Sequence, residues 1–199
     1  MKRLLILSSI LFFLLCSAGL AGATLITFDS LTPGSSMSSY SEAGVTFSTS
    51  TTFIPQPPLL VFSDQGKTGI IGNVSVPWVP IKADFDYYAS SVSVVLGDFN
   101  PDTEEVHLEA YDDADNLIAQ TISTLSNNGE RVWHEITVSV AASNIDYVIW
   151  SSFNLLTLPD DSILADSFEF TPVPEPATML LLSSGLIGLA GLRRKFRKR

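Results

Sequence analysis

The sequence predicts an all-β domain, a single β-sandwich of jelly-roll-like form, between two apolar terminal segments. Three observations predict it. Runs rich in Val, Ile, Thr, Phe and Tyr recur at roughly 8–14-residue spacing, separated by turn chemistry. Apolar and polar residues alternate cleanly in several of these runs. No long stretch between the ends carries the 3.6-residue period of a helix. In chain order the candidate strands are 24–28, 44–48, 59–62, 81–85, 92–96, 106–111, 117–122, 131–138, 147–151 and 164–170. Val106, Leu108 and Ala110 share one face, with His107, Glu109 and Tyr111 on the other. Ile136, Val138 and Val140 likewise oppose Thr137 and Ser139. Asp112-Asp113-Ala114-Asp115-Asn116 reads as a hairpin loop, and Asn127-Asn128-Gly129 as a second one. The proline-rich segments 53–58 and 76–80 read as loops or sheet edges.

The charges are segregated. The 199-residue chain has a formal net charge of −10, yet eight of its eleven basic residues lie at the two ends. Residues 24–172 contain 3 basic and 20 acidic side chains, a net charge of −17. So acidic a surface repels polyphosphate, which excludes nucleic acid as a partner class. These 149 residues suffice for one domain with its own core and are too few for two ordinary ones.

Residues 1–23 have the three parts of a secretory signal peptide: basic Lys2 and Arg3, an apolar run from Leu4 to Leu15, and the small-residue site Ala21-Gly22-Ala23. Signal peptidase is expected to cut after Ala23. The single cysteine, Cys16, leaves with the signal, so the mature domain relies on its core or on metal rather than on disulfides.

The other end, 173–199, has a comparable three-part order. Val173-Pro174-Glu175-Pro176 punctuates the end of the folded domain, because two prolines in three residues cannot sit inside a regular helix. An apolar helix over 177–192 follows, about 24 Å long at ~1.5 Å per residue. That is short of a ~30 Å hydrocarbon core unless the flanking basic side chains snorkel. The basic tail 193–199 opens with Arg193 and Arg194. Positive charge at both ends places both in the cytoplasm and the middle outside. This tail resembles the PEP-CTERM sorting signal of Gram-negative bacteria. The resemblance implies an inner-membrane-anchored precursor, processing near Pro174-Glu175-Pro176 by an exosortase, and delivery to the cell surface, often alongside exopolysaccharide.

The middle is similar to the β-sandwich ectodomains found among such proteins, through Ile26-Thr27-Phe28-Asp29, Gly44-Val45-Thr46-Phe47 and Asp166-Ser167-Phe168-Glu169-Phe170. Asp166 shares parity with Leu164, Phe168 and Phe170, so a regular strand turns its carboxylate toward the core, where it needs a partner. The likeness to carbohydrate-binding-module sandwiches implies a structural calcium held by Asp166 with Asp29. An acidic stretch of Asp98, Asn100, Asp102, Glu104 and Glu109 has EF-hand spacing, but Thr103 stands where glycine is needed, Pro101 interrupts, and β-type sequence follows. It reads as an acidic loop.

Enzyme chemistry finds little purchase. His107 and His134 lack metal-ligand spacing, and no serine stands in a G-x-S-x-G elbow. His107 reads as a solvated strand residue, His134 as partly buried, and Trp150 as core. Trp78, between loop prolines, and Trp133, opposite in parity to Ile136 and Val138, are candidates to stack on sugar rings. The sequence therefore points to an exported, non-catalytic module associated with polysaccharide. The alternatives are a structural or adhesive protein that recognises proteins or itself, and an extracellular glycan hydrolase with paired carboxylates.

Overall fold

Two strands organise the molecule because each is long enough to serve both of its layers. In the computed structural model, which describes residues 22–50, 58–64, 67–71, 79–98, 103–126, 133–154 and 163–173, eleven strands form one hydrogen-bonded system. They are β1 (Thr24–Thr27), β2 (Ser36–Met37), β3 (Ser39–Glu42), β4 (Val45–Thr49), β5 (Leu59–Asp64), β6 (Lys67–Ile71), β7 (Ile81–Asp98), β8 (Thr103–Tyr111), β9 (Leu117–Ser126), β10 (His134–Asn154) and β11 (Leu164–Pro172). A single 3₁₀ turn, Phe28–Ser30, follows β1. The described residues are all-β, as the sequence predicts for the middle of the chain. Strands 81–85 and 92–96 prove to be halves of β7, and 131–138 and 147–151 fall largely within β10.

β7 pairs antiparallel with β10 from His134 to Trp150, but the register breaks between Ala141 and Ile145 and again between Ile145 and Tyr147. The extra residues form a corner, with Asn144 at φ 63°. Bulges of this kind bend a strand without ending its pairing. On one side of the corner the order is β3-β4-β7-β10-β8-β9; on the other, β10 and β7 continue into β11, which pairs with β1 and β6, followed by β5 and β2. We call these the first and second layers.

Aromatic side chains join the layers. Phe47 of β4 meets Phe168 of β11 edge-on at 5.1 Å and Phe28 at 5.3 Å, and Trp150 of β10 lies 5.9 Å from Phe168. Such pairs contribute about 0.5–1.5 kcal/mol each beyond the area they bury. Val106, Leu108 and Ala110 are fully buried, and Trp150 is core as expected. Glu104 shares their face and is buried, whereas Glu109 points outward to Tyr111 and Gln120. Two members of the EF-hand-like spacing, Glu104 and Glu109, thus lie on opposite faces of β8.

The 112–116 loop closes the β8–β9 hairpin. Asp112 accepts hydrogen bonds from the backbone of Ala114 and Asn116 and from the Asn116 side chain, and these hold its carboxyl below the ordinary range. β9 and β10 are not hydrogen-bonded neighbours in the sheet order, although Thr121 of β9 donates a hydrogen bond to Ser139 O of β10 at 2.6 Å. Residues 127–129 themselves lie outside the described residues.

Candidate functional site

The outward faces of β10, β7 and β11 make a continuous surface on the second layer. Cross-strand register sets its rows: Glu135 opposite Gly97, Thr137 opposite Val95 and Ser167, Ser139 opposite Ser93 and Glu169, and Ala141 opposite Ser91 and Thr171. Its floor is small and polar. Ser139 donates a hydrogen bond to Ser93 at 2.9 Å. A groove of about 420 Å³ opens here, lined by Ser91, Ser93, Ser139, Glu169 and Thr171 with the edges of Val92, Val140, Ala141 and Phe170.

At the other end of this face lies Trp133, on the outside as its parity predicts. Its indole rests against the backbone of Gly97: a Cβ built there would meet Trp133 Cζ2 at 2.0 Å. Only glycine lets the ring lie this close to the strand. The indole N–H donates to Glu135 Oε2 at 2.8 Å. Lys67 Nζ approaches the same oxygen at 3.4 Å, lies 5.9 Å from the Trp133 ring centroid, and donates to Asp166 Oδ2 at 3.1 Å. Lys67 is 38% exposed and Asp166 17%. The hydrogen bond from Trp133, with the Lys67 charge, lowers the Glu135 pKa, while the hydrogen bond to Asp166 raises that of Lys67. Four residues of β7 separate Gly97 from Ser93, about 13 Å at ~3.3 Å per residue. Indole platform and groove therefore belong to one surface.

The expected orientation of Asp166 is corrected by a bulge. Ala165 pairs with Leu96 and Ser167 with Val95, which leaves Asp166 as the extra residue, its carboxylate turned from the core to Lys67. Asp29 is exposed in the 3₁₀ turn. Among the described residues no group of three or more acidic, histidine or cysteine side chains is placed to hold a metal ion. At Asp166 the neutralising cation is a lysine ammonium.

The structure thus brings Trp133 and Asp166 together through Lys67 and Glu135, neither of which the sequence reading singled out. Trp133-x-Glu135 was visible as an i, i+2 pair on one strand face; the Lys67 contact, 99 residues from Asp166, was not. His107 sits half-buried on the outer face of β8, 2.7 Å from Glu105. His134 points inward, and its Nε2 has no hydrogen-bond partner among the described residues. Ala23 is exposed just before β1. Trp78, Ala21, Pro174, Glu175, Pro176, Arg193, Arg194 and the expected helix over 177–192 lie outside the described residues. Among the described residues no helix is long and apolar enough to cross a membrane.

Solved structures similar to this chain include an arabinose-bound α-L-arabinofuranosidase, at 11% identity and TM-score 0.44, covering 78% of this chain and 26% of that one. The K2 cleaved adhesin domain of Lys-gingipain is 15% identical with TM-score 0.47, covering 76% and 99%. A carbohydrate-binding module from Clostridium stercorarium, in complex with cellobiose, is 13% identical with TM-score 0.37, covering 75% and 94%. This chain spans about a quarter of the arabinofuranosidase. At TM-scores below 0.5 these likenesses fix neither the ligand nor the activity of this chain. No curated protein sequence matches it significantly.

The last strand ends where the sorting region begins. Pro172 still pairs with Ala89, and the Val173 N–H donates to Tyr88 O at 2.7 Å, so the fold holds the chain up to that point. Residues 172–195 match the PEP-CTERM protein-sorting motif. The chain therefore carries a PEP-CTERM sorting signal directly after β11, and it is made as an exported, membrane-anchored precursor.

Proposed function

We propose that this protein is a surface-sorted, polysaccharide-associated binding module without chemistry of its own. Its sandwich of jelly-roll type is displayed outside a Gram-negative cell. In this reading signal peptidase removes 1–23, the helix over 177–192 anchors the precursor in the inner membrane, and an exosortase acts near Pro174-Glu175-Pro176. The observation that carries the binding role is Trp133, held against the Gly97 backbone and oriented by Glu135 on the same face as a hydroxyl- and carboxylate-lined groove. An aromatic face beside convergent polar groups suits a sugar, which has apolar ring faces and an equatorial rim of hydroxyls. Serine, threonine and carboxylate groups supply the donors and acceptors that the rim requires. No catalytic role is assigned to the carboxylates here: Asp166 is engaged by Lys67, and Glu135 by Trp133 and Lys67.

Affinity electrophoresis of the exported protein through gels containing the producer's own polysaccharide tests this reading. Retardation that free polysaccharide abolishes is expected. Unchanged mobility across the producer's polysaccharides overturns it, and release of reducing ends during the run would move the assignment to the hydrolase alternative.

A further inference from the structure

The groove on the second layer carries one carboxylate, Glu169 of β11. It is exposed in the cross-strand row Leu25, Glu169, Ser93 and Ser139, where the two serines bond to each other. Among the described residues no hydrogen bond or ion pair engages the Glu169 side chain. Cations that could answer it are scarce, since residues 24–172 contain only Lys67, Lys82 and Arg131. Lys67 is held by Asp166 and Glu135, and Lys82 pairs with Asp84 on the first layer. Arg131 lies outside the described residues.

These charges select among polysaccharides. A uronate or sulfate ester would bring negative charge to Glu169 where the described residues offer no free cation, and against the field of a domain of net charge −17. A neutral sugar avoids that penalty but draws nothing from the field. A protonated amine gains twice: its N–H groups donate to the Glu169 oxygens in charge-assisted hydrogen bonds, and the field raises its local concentration. We propose that the groove takes a polysaccharide carrying free amino groups, with the ammonium of one sugar on Glu169 and the ring of another on Trp133. This inference rests on the polysaccharide-binding reading and names its substrate class. Glu169 stands opposite Ser93, which lies about 13 Å along β7 from Gly97 at ~3.3 Å per residue, so the two contacts fall on different sugars of one chain. Leu25, 61% exposed and opposite Glu169, offers an apolar flank to the C–H face of the amino sugar.

Calorimetry of the exported protein at about pH 6, where an aliphatic amine is protonated, tests the proposal with a linear β-linked glucosamine hexasaccharide and its fully N-acetylated counterpart. At about 150 mM salt the ~8 Å screening length removes most of the attraction from carboxylates elsewhere on the domain and leaves the local contact. Wild type is expected to bind the amino oligosaccharide about tenfold more tightly than the N-acetylated one. Glu169→Gln should abolish that preference, whereas Glu109→Gln, which removes the same charge from the outer face of the first layer, should keep it. Equal affinity of wild type for the two oligosaccharides overturns the proposal, as does a preference that survives Glu169→Gln or is lost equally in Glu109→Gln. If neither oligosaccharide binds while the producer's polysaccharide still retards the protein, the amine is overturned and the binding module stands. If that polysaccharide is not bound either, both fall together.

Discussion

Replacing Gly97 by alanine tests the geometry of the candidate site most sharply. Gly97 is not among the glycines with positive φ, so alanine fits its backbone, and the whole penalty arises from the Trp133 ring. The new methyl carbon would sit 2.0 and 2.2 Å from Cζ2 and Cη2, and ordinary contact begins near 3.4 Å. The ring must retreat by on the order of 1.5 Å and give up its hydrogen bond to Glu135. Overpacking costs about 1–3 kcal/mol. Trp133 is half-buried and lies just ahead of β10, so the ring can swing away, and the lower figure applies. A loss of about 1 kcal/mol lowers Tm by about 3 °C in a domain of this size. In a Trp133→Ala background the obstruction is gone, and Gly97→Ala should gain about 0.5–1 kcal/mol from reduced freedom of the unfolded chain. Urea denaturation of the four proteins yields the coupling, expected at about 1.5–2 kcal/mol. Equal costs of Gly97→Ala in both backgrounds would refute the stacking of Trp133 on Gly97.

Three further outcomes are expected. Gly44→Ala should destabilise by about 2 kcal/mol, because the residue sits at φ 78° and its Cβ would meet Tyr87 Cε1 at 2.6 Å; a cost under about 0.5 kcal/mol by urea denaturation would contradict this. Asp146 has its pKa raised above 3.8, first by burial and then by Asp113 and Asp84, so its ionisation opposes folding once pH rises through that value. Asp146→Asn should therefore stabilise by about 0.5 kcal/mol at neutral pH, discounted for solvent screening, with the gain vanishing below about pH 3.8; a gain equal at pH 3 and pH 7 would refute the electrostatic account. Lys67 sits 3.1 Å from Asp166, so millimolar calcium is expected to leave Tm unchanged; a rise of several degrees would support a calcium held by Asp166 and Asp29.

How much of this was legible depends on range. Alternation along 106–111 gave the buried face of β8 correctly, because period 2 needs only neighbouring residues. The same rule divided β7 in two. Its buried side chains run Ile81, Ala83, Phe85 and then Val92, Val94, Leu96, a switch from odd to even positions across the corner. A phase change in sequence looks like a strand ending, whereas the backbone carries the pairing through a bulge. β3 was missed because Ser39-Tyr40-Ser41-Glu42 shows little apolar character, and β6 because Lys67-Thr68-Gly69 opens it. Asp166 illustrates the limit at the site. Its parity was read correctly, but the bulge that turns it lies in its pairing with β7, and its partner Lys67 comes from a strand the sequence did not reveal.

The most direct test of the polysaccharide-binding account compares the two outer faces in one titration. Calorimetry of the exported protein against the producer's polysaccharide would use wild type, Trp133→Ala, and Gln120→Ala on the outer face of the first layer as the control. The account predicts that Trp133→Ala weakens binding about tenfold, equivalent to ~1.4 kcal/mol, while Gln120→Ala binds as wild type does. Equal affinity for wild type and Trp133→Ala, with both folded, would contradict it.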